Sequence, residues 1–524
     1  MKKTFILLTG IAFLFLSCGS SQTKNPSSAA PKAPVKQTKN VTDYANSISS
    51  EELKTDLYIY ASDEFEGRET GTAGQKKAVN FLKDRYVELG IPSPISSDDY
   101  FQEVPLEIKD VPKVSLSIAG KAYTFKDDFV AISGNTGHFS AGEIVYAGYG
   151  IVSENYNSYT DLDVKGKVVL VKYGEPQNAD GIYLVTGSEK ASKWSNFVQE
   201  YRAKRDAAIA KGAKAILYYN PKAYDFMAAR YAQPSNRMAL QGSTDEIYYL
   251  FLNESIVKNL VPDIETQHTA AVVNQNIEVS YQNTGNQFHS ENVLALIKGS
   301  QYPDEVIVIS SHLDHEGIKD GQIYNGADDD GSGSVAMLEI AEAFQEAVKD
   351  GNGPKRSILF LHVTGEEKGL LGSRYYTDMD PVIPLENTVA NLNIDMIGRI
   401  DTKHENTPDK NYLYLIGSDK LSTELHNLSE SVNNSCCNIE LDYTYNDEND
   451  PNRFYYRSDH YNFAKNNIPV IFYFNGTHAD YHKPSDTPDK INYPFLQDRT
   501  RLIFQTAWEI ANRDKRLVVD KTFQ

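Results

Sequence analysis

Apolar and polar positions along this chain follow two different rhythms. Residues 305–311 read Glu-Val-Ile-Val-Ile-Ser-Ser, an alternating, β-branched run that predicts a strand ending on His312. Apolar runs at 357–363, 390–398 and 469–474 predict further strands, and helices are expected over 335–344 and 495–511. Helical periodicity also marks residues 51–60 and 74–90. Strands alternating with helices imply a mixed, mostly parallel sheet with helices on both faces, the three-layer α/β sandwich. The stretches 142–151, 166–172 and 211–219 have another texture, short and β-rich.

The amino terminus is different again. A basic start at Met1-Lys-Lys-Thr precedes an apolar run at 5–16, too short for a comfortable membrane span, and Ser17-Cys18-Gly19 closes it. This is the pattern of a bacterial lipoprotein signal over 1–18, with Cys18 lipidated, although Phe15 stands where leucine is commonest. A plain secretory signal is the alternative. Residues 19–40, dominated by Ser, Pro, Ala, Lys and Gln, predict a disordered tether. The expected setting is therefore the bacterial cell envelope, with the chain held on a membrane by lipid and facing periplasm or exterior.

Composition narrows the classes further. The 524 residues suffice for more than one core, and a net charge of −19 argues against a nucleic-acid partner. After Cys18 only Cys436 and Cys437 remain, so disulfides do not build the fold. Two free or buried thiols are the plainer expectation for that pair, a vicinal disulfide the alternative.

Candidate chemistry concentrates after residue 300, where His312, Asp329, Glu367, Asp395 and His482 form an ordered series of metal-type donors. Asp314, two residues past His312 on an extended backbone, is expected to accept the free ring N–H with its carboxylate and fix the tautomer. Residues 325–333, Asn-Gly-Ala-Asp-Asp-Asp-Gly-Ser-Gly, put three carboxylates on a glycine-rich turn at a helix start, where capping is the ordinary use of acids. Glu366 and Glu367 follow a buried strand. Neighbouring side chains in an extended segment point in opposite directions, which gives Glu366 a proton-transfer role and Glu367 the metal. Asp395 lies near the end of another apolar strand. In the run at 476–487, chemistry alone does not choose between His478 and His482.

The set His-x-Asp-His, Gly-Ala-x-Asp-Asp, Gly-Glu-Glu, Asn-x-Asp-Met and Tyr-His-x-Pro-x-Asp-Thr resembles the dizinc aminopeptidases of peptidase family twenty-eight, clan MH. The resemblance implies the zinc-dependent exopeptidase fold, of the phosphorylase/hydrolase-like kind. It implies two Zn2+ per chain, Co2+ or Mn2+ being possible substitutes, one held by His312, Asp329 and Asp395 and the other by Asp329, Glu367 and His482. Asp329 then bridges, with a cis peptide bond to Asp330, and His478 becomes a supporting or pocket residue. Peptides are the implied substrates. Glu366 is the implied general base toward a water between the metals, and Tyr481 the oxyanion donor. The Arg-Ser-Asp-His segment at 457–460 resembles a substrate-side segment of the family, with Arg457 toward a substrate carbonyl or carboxylate.

Residues 62–72 resemble the family's opening segment, so residues 41–110 and 288–524 are expected to form one peptidase domain. Residues 111–287 resemble an inserted protease-associated (PA) domain, whose expected work is to overhang the site and limit substrate size. Carboxypeptidase or dipeptidase activity is the close alternative, since it shares the metal chemistry. A glutaminyl cyclase, which works with one zinc, and a noncatalytic receptor, expected to lose ligands, fit the complete donor set less well.

Overall fold

The computed structural model describes residues 39–234, 237–242, 247–406 and 411–522. The signal segment with Cys18, and the tether as far as residue 38, lie outside the described residues. Val41–Gln524 forms one compact unit.

Its main sheet contains, in chain order, β1 (Phe101–Lys109), β2 (Arg237–Leu240), β3 (Gln287–Ile297), β4 (Tyr302–His312), β5 (Arg356–Val363), β6 (Thr388–Ile394), β7 (Tyr412–Ile416), β8 (Glu440–Asp442) and β9 (Val470–Phe474). Their order across the sheet is β8-β7-β9-β6-β4-β5-β3-β1-β2. The central strands β9, β6, β4 and β5 are parallel. On one side β3, β1 and β2 each run against their inner neighbour; on the other β7 runs against β9, with β8 parallel to β7. The sheet is thus mixed, with its parallel part at the centre.

The period of two seen in sequence sorts side chains to two cores. Ile307 and Ile309 of β4 face one core with Ile358 and Phe360 of β5, whereas Val306, Val308, Leu359 and Leu361 face the other. The first core is covered by the helices Ser50–Tyr60, Ala73–Leu89, Gly333–Lys349 and Tyr493–Asn512. Tyr376 of the helix Leu371–Asp378 and Phe463 of His460–Ala464 cover the second.

Chain order reverses at β4. The helix Gly333–Lys349 leads to β5 on one side of it, and the helix Leu371–Asp378 then leads to β6 on the other. Such a switch opens a crevice beyond the carboxyl ends of the strands, where ligands bind in open α/β sheets.

Between β1 and β3 the chain builds a six-stranded and a four-stranded sheet with their own cores. It leaves and returns through neighbouring strands, paired from Phe101↔Val293 to Glu107↔Gln287. Among the described residues β2 is the one strand of this stretch that rejoins the main sheet, through Leu106↔Leu240. No helix among the described residues is long and apolar enough to cross a membrane.

Cys436 and Cys437 are joined by a disulfide, against the plainer expectation of thiols. The helix Thr423–Cys436 stops between them, and both side chains turn to the same core, which brings the sulfurs together.

Candidate metal centre

His312 is the last residue of β4 and pairs in register with Val363, the last of β5. Glu366 and Glu367 follow β5, Asp395 follows β6, and His482 lies on the loop after β9. Four parallel strand ends thus deliver donors to one crevice.

Asp329 stands in the middle and divides its carboxylate. Its Oδ1 lies 3.1 Å from His312 Nε2, which is also 3.6 Å from Asp395 Oδ1. Its Oδ2 lies 3.0 Å from His482 Nε2, itself 3.2 Å from Glu367 Oε1. Two donor sets therefore meet on one carboxylate.

The loop geometry explains why only the middle aspartate points inward. Gly326 has φ +53°, and a Cβ there would lie 2.2 Å from the Asp329 carbonyl oxygen, so the close turn requires glycine. The Asp329–Asp330 peptide is cis. Asp330 turns back and accepts from the backbone N–H groups of His312 at 3.2 Å, Met396 at 3.1 Å and Gly333 at 2.9 Å, tying β4, β6 and the helix start together. Asp328 accepts from Gly398 N–H at 2.7 Å, and its other oxygen is 3.2 Å from His478 Nε2. Asp486 accepts from the N–H groups of Asp328 and Asp329 at 3.0 and 3.2 Å. The flanking acids are braces, and His478 belongs to them rather than to the donor sets.

Two local expectations are corrected. His312 Nδ1 meets the backbone carbonyl of Asp314 at 3.0 Å, while the Asp314 carboxylate is 4.0 Å away. That carboxylate instead accepts from Glu366 N–H at 3.1 Å and Thr70 Oγ1 at 2.8 Å. The chain turns after His312, so the two-residue period no longer holds at Asp314. Likewise Glu366 and Glu367 lie in a turn rather than an extended segment. Gly365 at φ +67° ends the strand geometry, and the Glu366 carbonyl accepts from the N–H groups of Gly369 and Leu370.

Four contributors were not singled out from sequence. His315 is buried with Nδ1 3.0 Å from Glu367 Oε1, and Glu316 Oε1 lies 3.3 Å from His482 Nδ1, behind the imidazole. Their signal was present in the run His-Leu-Asp-His-Glu at 312–316, but only its first and third residues were assigned roles. Ser458 donates to Asp395 Oδ2 at 2.6 Å. Arg68, wholly buried, donates to the carbonyls of Leu313, Asn325 and Gly326, and so clamps the two donor loops to the amino-terminal segment.

The donors fit divalent cations. His312 Nε2, Asp329 Oδ2 and Glu367 Oε1 are buried, convergent, and make no hydrogen bond. Imidazole nitrogens with carboxylate oxygens suit zinc, and accept cobalt or manganese. Electrostatics agree. Burial works against protonation of His482, but Asp329 and Glu367 outweigh it and push its pKa up to about 10. Burial and Asp329 push Glu367 upward, yet His315 and His482 hold it at about 2. The crevice attracts positive charge.

Glu366 lines the adjacent cleft with Arg457, Phe454, Phe472, Phe474 and Tyr481. Burial raises its pKa well above the usual carboxylate range, with Glu367, Asp395 and Asp459 adding to it. Tyr481 stacks on His482 with ring centroids 3.9 Å apart, and its hydroxyl accepts from Arg457 Nη2 at 3.4 Å.

Fold and donors together define an α/β protein with a candidate metal centre at a strand-order reversal. Residues 292–507 match Peptidase family M28. Aminopeptidase YwaD of Bacillus subtilis is 23% identical over 376 residues, covering 69% of this chain and 66% of that protein. The mouse aminopeptidase NAALADL1 is 34% identical over 121 residues, 23% of this chain and 15% of that protein. The chain thus spans a small part of the length of that relative. A solved structure of a zinc aminopeptidase from Bacillus subtilis aligns over 91% of this chain and 98% of its own, at 19% identity and a TM-score of 0.46.

Proposed function

We propose that the protein is a zinc metallopeptidase, an aminopeptidase that releases amino-terminal residues from peptides. The observation that carries this reading is the divided carboxylate of Asp329, one oxygen toward His312 and the other toward His482, with Glu366 beside both sets. Two bound zinc ions would supply Lewis acidity to a water and to the scissile carbonyl. Asp329 would be shared between them, with His312 and Asp395 completing one donor set and Glu367 and His482 the other. Glu366, anchored through its N–H on Asp314, removes the proton of the attacking water and returns it to the leaving amine. Its burial favours holding that proton between the two transfers. Tyr481 donates to the developing oxyanion, and Arg457 meets a substrate carbonyl or carboxylate.

The name of the Bacillus relative, which aligns over 69% of this chain, supports the amino-terminal preference, whereas relatives named probable glutamate carboxypeptidases align over 20–23% of it. The unit between β1 and β3 is read as a PA domain that restricts which peptides enter. Lipidation at Cys18 and work at the cell envelope complete the proposal, supported by the signal pattern over 1–18.

Aminoacyl anilides and acyl-blocked peptides, assayed on zinc-loaded protein with mass spectrometry of products, test the activity. Cleavage of free amino termini alone is expected. Release only from the carboxyl end overturns the aminopeptidase reading, and no cleavage of either overturns the peptidase.

A further inference from the structure

We propose that His315 is a sixth protein donor of the centre, binding a divalent cation through Nδ1 beside Asp329, Glu367 and His482; this rests on the two-metal reading above. Its Nδ1 lies 3.0 Å from Glu367 Oε1 and 3.8 Å from Asp329 Oδ2. His482 Nε2 lies 3.2 and 3.0 Å from the same two oxygens. Donors around one zinc with bonds of about 2.0–2.1 Å stand about 3.3 Å apart in a tetrahedral set. The 3.0 Å separation from Glu367 is that of co-ligands, and His315, Asp329 and Glu367 offer ligand atoms that all lie within 4.8 Å of one another.

A hydrogen bond from His315 to Glu367 is the competing account, and the geometry opposes it. Nδ1 and Oε1 are close, yet both are buried atoms without a hydrogen bond, so the ring N–H direction misses the oxygen. Nε2 makes none either. A fully buried imidazole with neither nitrogen satisfied is costly unless one of them is coordinated. Nor is the ring free to swing aside. A Cβ at Gly326 would lie 2.5 Å from His315 Cγ and Cδ2, so the ring lies against that glycine, and the backbone N–H of His315 donates to the Arg68 carbonyl at 3.3 Å.

The consequence is an unequal pair of positions. One offers His312, Asp329 and Asp395; the other offers His315, His482, Asp329 and Glu367. The nitrogen-richer position favours zinc and cobalt over manganese and fills first.

Titration with Zn2+ under chelator competition, and with Co2+ followed by visible absorption, tests this on the wild type, His315→Phe and His315→Asn. Phenylalanine keeps a ring against Gly326, and asparagine keeps a small polar group. Wild type is expected to bind two ions, and both variants to lose about 100-fold or more of the tighter affinity, beyond the effect of most supporting residues. The first Co2+ spectrum changes while far-UV circular dichroism does not. Unchanged tight affinity overturns the inference, as does weaker affinity with an unchanged Co2+ spectrum, the mark of a brace. Wild type that binds no metal overturns the two-metal reading as well. Should the variants misfold, coupling between 113Cd and the 15N-labelled His315 ring in wild type decides the matter, its presence supporting coordination and its absence overturning it.

Discussion

Ser458 donates from Oγ to Oδ2 of Asp395 at 2.6 Å, leaving Oδ1 turned toward His312 Nε2 at 3.6 Å. The serine hydroxyl accepts from the Asn393 side-chain amide at 2.8 Å, and the Asn393 carbonyl accepts from Ser310 at 2.7 Å. A hydrogen-bond chain across β4 and β6 therefore ends on the donor and fixes which oxygen faces the crevice. Ser458→Ala should weaken cation affinity on the His312 side about 10-fold or more with folding intact. Chelator competition measures it, and unchanged affinity would show that Asp395 needs no such brace.

Arg68 is a structural counterpart. Its guanidinium donates to the carbonyls of Tyr60, Leu313, Asn325 and Gly326 at 3.2, 3.2, 2.7 and 2.9 Å, and lies 4.6 Å from the centre of the Tyr60 ring. Arg68→Met strands those acceptors and should cost about 3 kcal/mol or more in urea unfolding. Arg68→Lys should recover little, because an ammonium lacks the planar fork that reaches them together. Full recovery by lysine would mean that charge alone matters here.

What sequence revealed follows from the range of the interactions. The alternation that sends Ile307 and Ile309 to one core and Val306 and Val308 to the other is local, so β4 and the position of His312 at its end were readable. The division of labour among Asp328, Asp329 and Asp330 was not readable from the residues, because it depends on Gly398, Met396 and Asp486, far along the chain; family resemblance supplied the choice of Asp329. Asp314 and the Glu366–Glu367 pair were assigned by extending strand geometry past Gly365 and His312, where the backbone turns. Arg68 carried no local signal, since its partners lie on loops assembled only in the fold.

Glu339, on the helix Gly333–Lys349, is a buried acid remote from β4's end. Its Oε2 accepts from Ser49 N–H at 3.2 Å and its Oε1 has no hydrogen bond. Burial pushes its pKa up from 4.5 to about 8, with Glu52, Glu342 and Asp56 adding to the shift and the Ser49 N–H opposing it. Below pH 4.5 folded and unfolded chains both carry the proton, and this group does not affect stability. Between 4.5 and 8 the folded state retains a proton that the unfolded state has released, so stability falls as pH rises, and above 8 the penalty is complete. Glu339→Gln removes the titration and should gain about 2 kcal/mol or more over wild type at alkaline pH relative to acid. Urea midpoints near pH 5 and pH 8.5 check it; an equal difference at both values contradicts the shift.

Glu366→Gln keeps the size of the side chain and removes its basicity. With both cations retained, kcat should fall about 100-fold or more. Metal analysis of the same sample separates lost proton transfer from lost cations. Near-normal turnover at full metal content would remove Glu366 from the mechanism.

Tyr481 has two roles that one substitution separates. Its ring stacks on His482, and its hydroxyl faces the cleft beside Arg457. Burial raises its pKa, reinforced by Asp329, Glu367 and Glu366 and opposed by Arg457, so the hydroxyl remains a proton donor across the neutral range. Phenylalanine preserves the stacking and deletes the donor. If the hydroxyl stabilises an oxyanion, Tyr481→Phe should lower kcat about 100-fold with KM little changed and cation affinity retained. An aromatic that only supports His482 predicts the reverse pattern for two variants, near-normal turnover in Tyr481→Phe and weakened cation binding in Tyr481→Ala. Steady-state kinetics on both, alongside chelator competition, therefore assign the residue to the reaction or to the scaffold.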